Sequence, residues 1–157
     1  MTEPQPAKPR VLFLCTGNSC RSQMAEGWAR HLRGDALEPC SAGVAPKGLD
    51  PRAVAVMAEV GVDISGQASE HVDDLLRRLA ERGSAVDWVV TVCDSARESC
   101  PVFPGKAKVL HRSFDDPPRL AAGAPSEEAA LAPYRRVRDE IRRFVEELPR
   151  IFEAAGR

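Results

Sequence analysis

The stretch Val11-Leu12-Phe13-Leu14-Cys15-Thr16-Gly17-Asn18-Ser19-Cys20-Arg21-Ser22, continuing through Gln23-Met24-Ala25-Glu26-Gly27-Trp28, decides the fold. Val11 to Leu14 is an unbroken apolar run, the pattern of a strand buried on both faces of a parallel sheet. Beyond Cys15 the residues turn small or polar. Met24, Trp28 and Leu32 then recur every four positions with Ala25 and Ala29 beside them, which predicts a helix from about Ser22 to Arg33, ended by Gly34. A buried strand that passes through a short polar loop into a helix is the opening unit of a parallel α/β sheet.

The rest of the chain repeats this alternation. Leu37 to Val44 reads as a second strand. Asp50-Pro51 opens a helix in which Val54, Met57 and Val60 share a face before Gly61 closes it. His71 to Arg82 fits a third helix with Val72, Leu75, Leu76 and Leu79 inward. Trp88 to Val92 is a further buried strand ending at Cys93, and Lys108 to Leu110 a shorter one leading to Phe114-Asp115-Asp116-Pro117. The last helix is expected from about Ser126 to Phe152, burying Val137, Ile141, Phe144, Leu148 and Ile151, with Pro133 in or near its first turns. The fold class is therefore α/β: a single domain, residues 10–157, with a central four-stranded parallel sheet and helices on both faces. Residues 1–9, with three prolines, read as a flexible tail. In such sheets function collects at the carboxyl ends of the strands, where Cys15, Cys93 and Asp116 would converge.

Composition excludes several classes. The chain has 157 residues, 43% hydrophobic and 29% charged, which suits one globular core and argues against disorder. No apolar run approaches the roughly 20 residues that span a bilayer, and the start lacks an apolar leader, so a cytoplasmic protein without membrane contact is expected. With 22 basic and 23 acidic side chains, no general affinity for nucleic acid is expected either. A monomer is expected. The five cysteines, Cys15, Cys20, Cys40, Cys93 and Cys100, are odd in number, which points to catalysis, redox cycling or metal binding rather than a disulfide framework.

The loop after the first strand suggests which. Successive N–H groups in a turn at a helix start form an anion nest, and the helix dipole adds to it. Residues Thr16, Gly17, Asn18, Ser19, Cys20, Arg21 and Ser22 would make this oxyanion-binding loop. Gly17 supplies backbone freedom, Asn18 tolerates the left-handed region, and Arg21 can hold two oxygens of a tetrahedral anion. The same field is expected to lower the Cys15 pKa below its usual value of about 8.5, which makes Cys15 a nucleophile aimed at the bound anion. Cys20 is expected to pack its sulfur inward. His31, His71 and His111 show no pairing that suggests catalysis.

At this point the chain resembles the thioredoxin-coupled arsenate reductases, a branch of the low-molecular-weight tyrosine phosphatase superfamily. The likeness runs from about Val11 to Phe144. Its motifs are Cys15 through Trp28, Ser41-Ala42-Gly43, Val60-Gly61-Val62-Asp63-Ile64-Ser65, Val89-Val90-Thr91-Val92-Cys93, Phe114-Asp115-Asp116-Pro117 and Arg136-Val137-Arg138-Asp139-Glu140-Ile141. The resemblance implies that Cys15 attacks arsenate, that Cys93 then expels arsenite by forming a disulfide with Cys15, and that Cys100 passes the disulfide outward. Thioredoxin would restore the thiols through a transient mixed disulfide, with no tightly bound cofactor. Asp116 would be the acid, with Asp115 as fallback. The likeness also carries a potassium site, for which Asn18, Glu26 and Ser41 stand at matching positions and Glu70 where an aspartate is usual.

Geometry adds a demand. A helical Cys93 to Cys100 would separate the two Cα atoms by roughly 10 Å, beyond the 4.4–6.8 Å of a disulfide, so the polar segment Asp94 to Ser99 must unwind. Three alternatives remain at this stage: a low-molecular-weight protein tyrosine phosphatase, a zinc module built from Cys15, Cys20, Cys93 and Cys100, and a non-catalytic oxyanion sensor. Pro118 and Arg119 beside the acid, and a single tyrosine, Tyr134, disfavour a phenolic substrate.

Overall fold

The computed structural model describes residues 8–93 and 107–155. In chain order the elements are β1 (Arg10–Cys15), α1 (Arg21–Arg33), β2 (Glu38–Gly43), α2 (Pro51–Glu59), α3 (Val72–Glu81), β3 (Trp88–Thr91), β4 (Lys108–His111), α4 (Pro117–Ala121) and α5 (Glu127–Ala155). The four strands form one sheet in the order β2-β1-β3-β4, and all neighbours are parallel. Val11 to Leu14 and Val89 to Val90 are wholly buried, so both faces of the central strands are covered, as their unbroken apolar pattern requires. In register, Cys15 pairs with Gly43 of β2, while Leu14 pairs with Thr91 of β3. The ends of β1, β2 and β3 thus come level on one rim.

The long helix α5 locks the helical layer. Tyr134, Val137, Ile141, Phe144, Val145, Leu148 and Phe152 are buried along it at helical spacing. The Trp28 indole N–H of α1 donates to the Arg138 carbonyl at 3.0 Å, and the Arg138 guanidinium donates to the Val56 carbonyl of α2 at 2.9 Å. At the other end Trp88 stacks on Phe152, with ring centres 4.1 Å apart. α1 also approaches the segment after α2 closely. A Cβ at Gly27 would stand 2.5 Å from Ile64 Cγ2, so only glycine fits there.

Several helix details differ from the sequence reading. The inner face of α2 is Ala53, Val56 and Met57, with Val54 and Val60 only half-buried. Periodicity weighted by large side chains favours Val54 and Val60, whereas tight packing selects the small Ala53. In α3, Leu76 is half-buried beside the inward Val72, Leu75 and Leu79. α5 begins at Glu127 and carries both Pro133 and Pro149 within it, and Phe152 replaces Ile151 as its last buried residue. The short α4 follows Asp116, where Pro117 and Pro118 preset the first helical turn. The Pro9 carbonyl accepts from the Glu38 N–H, which ties the chain to the sheet just before β1.

Candidate functional site

Cys15 is the last residue of β1 and Arg21 the first of α1, so the loop between them spans the rim. Three of its carbonyls are turned to the connection after β2. Thr16, Gly17 and Ser19 accept from the N–H groups of Ala45, Lys47 and Asp50 at 2.8, 2.9 and 3.0 Å. In a trans peptide the N–H points opposite to the C=O, so the N–H groups of Gly17, Asn18 and Cys20 turn away from that connection. Neighbouring N–H groups turned to one side are the arrangement from which an anion nest can be built.

Asn18 holds the turn in place. It has a φ of 44°, and is fully buried. Its amide donates to Ser22 Oγ and Ser41 Oγ, both at 3.0 Å, and its Oδ1 accepts from the Glu70 N–H at 2.9 Å. Gln23, also fully buried, donates to the Asn18 carbonyl at 2.9 Å and to the Ala68 carbonyl at 3.0 Å. Sequence reasoning assigned Gln23 no role. The available signal was a long polar side chain directly before the apolar repeat that starts at Met24 of α1.

A cavity of about 390 Å³ opens above the loop, lined by Cys15, Thr16, Gly17, Ser19, Cys20, Arg21, Lys47, Asp50, Asp116 and Pro118. Arg21 donates to the Phe114 carbonyl at 2.9 Å and stands 3.6 Å from Asp116. Asp115 faces elsewhere, paired with Arg136 at 3.0 Å. Asp116 is therefore the carboxyl that meets the cavity. Asp50 is a further acid of the site that sequence reasoning treated only as a helix opener. It caps α2 through Arg52 N–H and accepts the Tyr134 hydroxyl at 2.6 Å. Among the described residues no aromatic ring lines the cavity.

The strongest long-range feature is a pair of sulfurs. Cys15 Sγ and Cys93 Sγ lie 3.3 Å apart, with Thr16 Oγ1 3.5 Å from Cys93 Sγ. Cys100 and the segment expected to unwind lie outside the described residues. So do residues 1–7 of the expected tail. Cys20 is buried against the core and Cys40 lines a separate cavity of about 530 Å³ on the β2 side. Among the described residues no group of three or more histidine, cysteine or acidic side chains could hold a metal ion.

The expected lowering of the Cys15 pKa is overturned by what surrounds the sulfur. The hydrogen bond to Cys93 and then burial push the thiol well up, against the smaller opposing pull of Arg21. Burial likewise raises Cys20, and with the nearby Glu26 carboxylate it pushes Cys40 up to about 12. A raised thiol pKa leaves Cys15 protonated at neutral pH, and its thiolate fraction grows about tenfold per pH unit below that pKa. The rate of Cys15 alkylation by iodoacetamide, followed by peptide mass, is expected to climb steadily from pH 6 to pH 9. A plateau already reached at pH 6 would mean a preformed thiolate.

The structure brings Asn18, Glu26, Ser41 and Glu70 together, but their oxygens are engaged. Ser41 donates to Glu26 at 2.6 Å, the other Glu26 oxygen takes the Arg30 guanidinium at 2.6 Å, and both Glu70 oxygens take Arg78 at 2.7 and 2.8 Å. Two guanidinium groups thus neutralise the carboxylates a potassium ion would need, and this arrangement does not fit the ion.

Comparison with known proteins places these features in context. The profile described as Low molecular weight phosphotyrosine protein phosphatase matches residues 10–154. The chain is 49% identical over 132 residues to an arsenate reductase of Bacillus subtilis, covering 83% of this chain and 88% of that protein. Among solved structures it is similar to an arsenate reductase in the intermediate state, with TM-score 0.67, 31% identity, and coverage of 89% of this chain and 95% of that one. It is also similar to a low molecular weight protein tyrosine phosphatase from T. tengcongensis, with TM-score 0.64, 29% identity, and coverage of 91% and 99%. The same fold thus carries both activities, and side chains must separate them.

Proposed function

The chain belongs to the low molecular weight phosphotyrosine protein phosphatase family, and from that premise we propose that it is an arsenate reductase working by a thiol relay. The observation that carries this reading is the second sulfur, Cys93, 3.3 Å from the loop nucleophile. A phosphatase finishes its reaction with water and has no use for a thiol there. The relatives named arsenate reductase, and a cavity lining without an aromatic ring among the described residues, support the same choice.

Cys15 passes its thiol proton to the bound arsenate and attacks arsenic as the thiolate, an As–O bond breaks, and Asp116 protonates the departing oxygen as water. Arg21 and the loop N–H groups hold the remaining oxygens. The Cys93 thiolate then attacks Cys15 Sγ. The electron pair of the As–S bond passes to arsenic, arsenic(V) becomes arsenic(III), and arsenite leaves behind a Cys15–Cys93 disulfide. Closing 3.3 Å to the roughly 2.05 Å of an S–S bond needs only a small shift. Cys100 would next attack Cys93 Sγ and free Cys15, and the dithiol of thioredoxin would reduce the Cys93–Cys100 bond through a mixed disulfide. No step is routed through potassium.

The test is a trapped species. Cys100→Ser is expected to release about one arsenite per enzyme and stop with Cys15 bonded to Cys93. Cys93→Ser should release none or only a slow trickle. Peptide mass mapping of the arsenate-treated Cys100 variant reads the link directly, and its absence would reverse the order of thiols. Full turnover is measured as arsenate-dependent NADPH oxidation with thioredoxin and its reductase, beside hydrolysis of p-nitrophenyl phosphate. Efficient hydrolysis without arsenite production would favour the phosphatase reading.

A further inference from the structure

The cavity over Cys15 contains a cation that the relay does not use. Lys47 lines it together with Arg21, and two contacts fix where it stands. Its N–H donates to the Gly17 carbonyl at 2.9 Å, and the next residue, Gly48, has φ +91° and donates to Ser69 Oγ at 3.1 Å. The aliphatic stem lies across Gly17. A Cβ built on Gly17 would stand 3.2 Å from Lys47 Cδ and 3.4 Å from Cγ. The glycine is thus the surface over which this side chain runs.

Charge at the site explains why that matters. Asp116 stands 3.6 Å from Arg21 and partly neutralises it, and Asp50 adds a second negative charge to the lining. Among the described lining residues Arg21 and Lys47 therefore face two carboxylates, and only with Lys47 counted is this described lining not net negative before the nest donors are added. The Asp50 carboxylate is taken by the Arg52 N–H and the Tyr134 hydroxyl. No described carboxylate pairs with the Lys47 ammonium. It is left for a guest.

We propose that Lys47 is a specificity-determining residue whose ammonium, at the mouth of the Cys15 cavity, binds free tetrahedral dianions such as arsenate and phosphate. An aryl phosphate would need an apolar wall at the place where this charge stands, so the same side chain selects the free oxyanion over the phenolic ester. The proposal rests on the arsenate reading for its physiological substrate, but its binding step does not require reduction to occur.

Lys47→Met keeps the length and apolar stem over Gly17 and removes only the charge, and Lys47→Arg keeps the charge. Three readouts are needed: the dissociation constant of inorganic phosphate by calorimetry, the arsenate KM and kcat, and the thermal midpoint. In Lys47→Met the phosphate constant and the arsenate KM are expected to rise together by about 5- to 20-fold, the scale of one charge-assisted hydrogen bond. Its kcat and thermal midpoint should stay unchanged, and Lys47→Arg should bind phosphate like the parent. The gap between parent and Lys47→Met should narrow as salt is raised.

A phosphate constant in Lys47→Met equal to that of the parent, or a parent that does not bind phosphate, would overturn the proposal. So would a loss of binding that follows a fallen thermal midpoint and is not rescued by arginine. Phosphate binding that depends on Lys47 in a parent unable to reduce arsenate would uphold this inference while rejecting the reductase reading. Arsenate reduction untouched by Lys47→Met would do the reverse.

Discussion

Cys15→Ser is expected to give a folded protein whose arsenate reduction falls by more than about a thousandfold. The residue is the last of β1, only 4% exposed, and its sulfur touches Cys93 at 3.3 Å. A hydroxyl is smaller than a thiol, so the loop closes over it without strain. What is lost is chemistry: a serine alkoxide is scarcely populated near neutral pH, and an As–O–Ser adduct offers Cys93 no sulfur to attack. Neither arsenite release nor the Cys15–Cys93 disulfide can then form. Phosphate binding and the thermal midpoint should survive, because the donors of the nest and Arg21 are unchanged. Arsenite production by a folded, phosphate-binding Ser variant would reject Cys15 as the attacking group.

Gly43→Ala should be nearly as damaging by a different route. Gly43 ends β2 directly beside Cys15 in the parallel register. A Cβ there would stand 2.6 Å from the Thr16 carbonyl oxygen and 2.9 Å from the Asn18 nitrogen, both main-chain atoms of the loop between β1 and α1. Neither can swing aside as a side-chain tip would. The Thr16 carbonyl is held by Ala45 N–H, and Asn18 is held by Ser22, Ser41 and Glu70. The loop must move as a unit. Overpacking of this kind costs about 1–3 kcal/mol of stability. A displacement of the order of 1 Å in the donors and nucleophile can cost about 10²-fold in rate. Arsenate kcat/KM and urea unfolding of Gly43→Ala measure the two effects. Gly66→Ala is the matched control, since a Cβ at Gly66 meets nothing within 4 Å. Equal behaviour of the two variants would mean that the loop tolerates displacement and that its tight backing is irrelevant to activity.

What could be read ahead of the structure was local. The strand, loop and helix from Val11 to Arg33 follow from an apolar run, a polar turn and a four-residue repeat within one stretch of chain. Turn chemistry likewise marked Asn18, which adopts the left-handed φ, and Asp50-Pro51, which starts α2. The α/β class and parallel sheet follow from the alternation of such units. Helix faces were legible less finely, because periodicity weights bulk whereas close packing rewards small residues such as Ala53 and Gly27.

Everything that depends on which strand lies beside which had to wait for the fold. The order β2-β1-β3-β4 puts Gly43 against the loop on one side of Cys15 and Cys93 against its sulfur on the other, across 78 positions of sequence. That meeting reverses the expected pKa direction of Cys15, since a local argument counts the helix and Arg21 but not a buried thiol arriving from another strand. The choice of Asp116 over Asp115 turns on Arg136 of α5 drawing Asp115 away. The potassium reading met Arg30 and Arg78, whose guanidinium groups reach the same carboxylates. Lys47 acquires meaning only when the turn after β2 lays it over Gly17. Backbone propensities act between residues a few positions apart and can be read along the chain. Electrostatics and steric exclusion act through space, and the neighbours that decide them are chosen by the packing of the sheet.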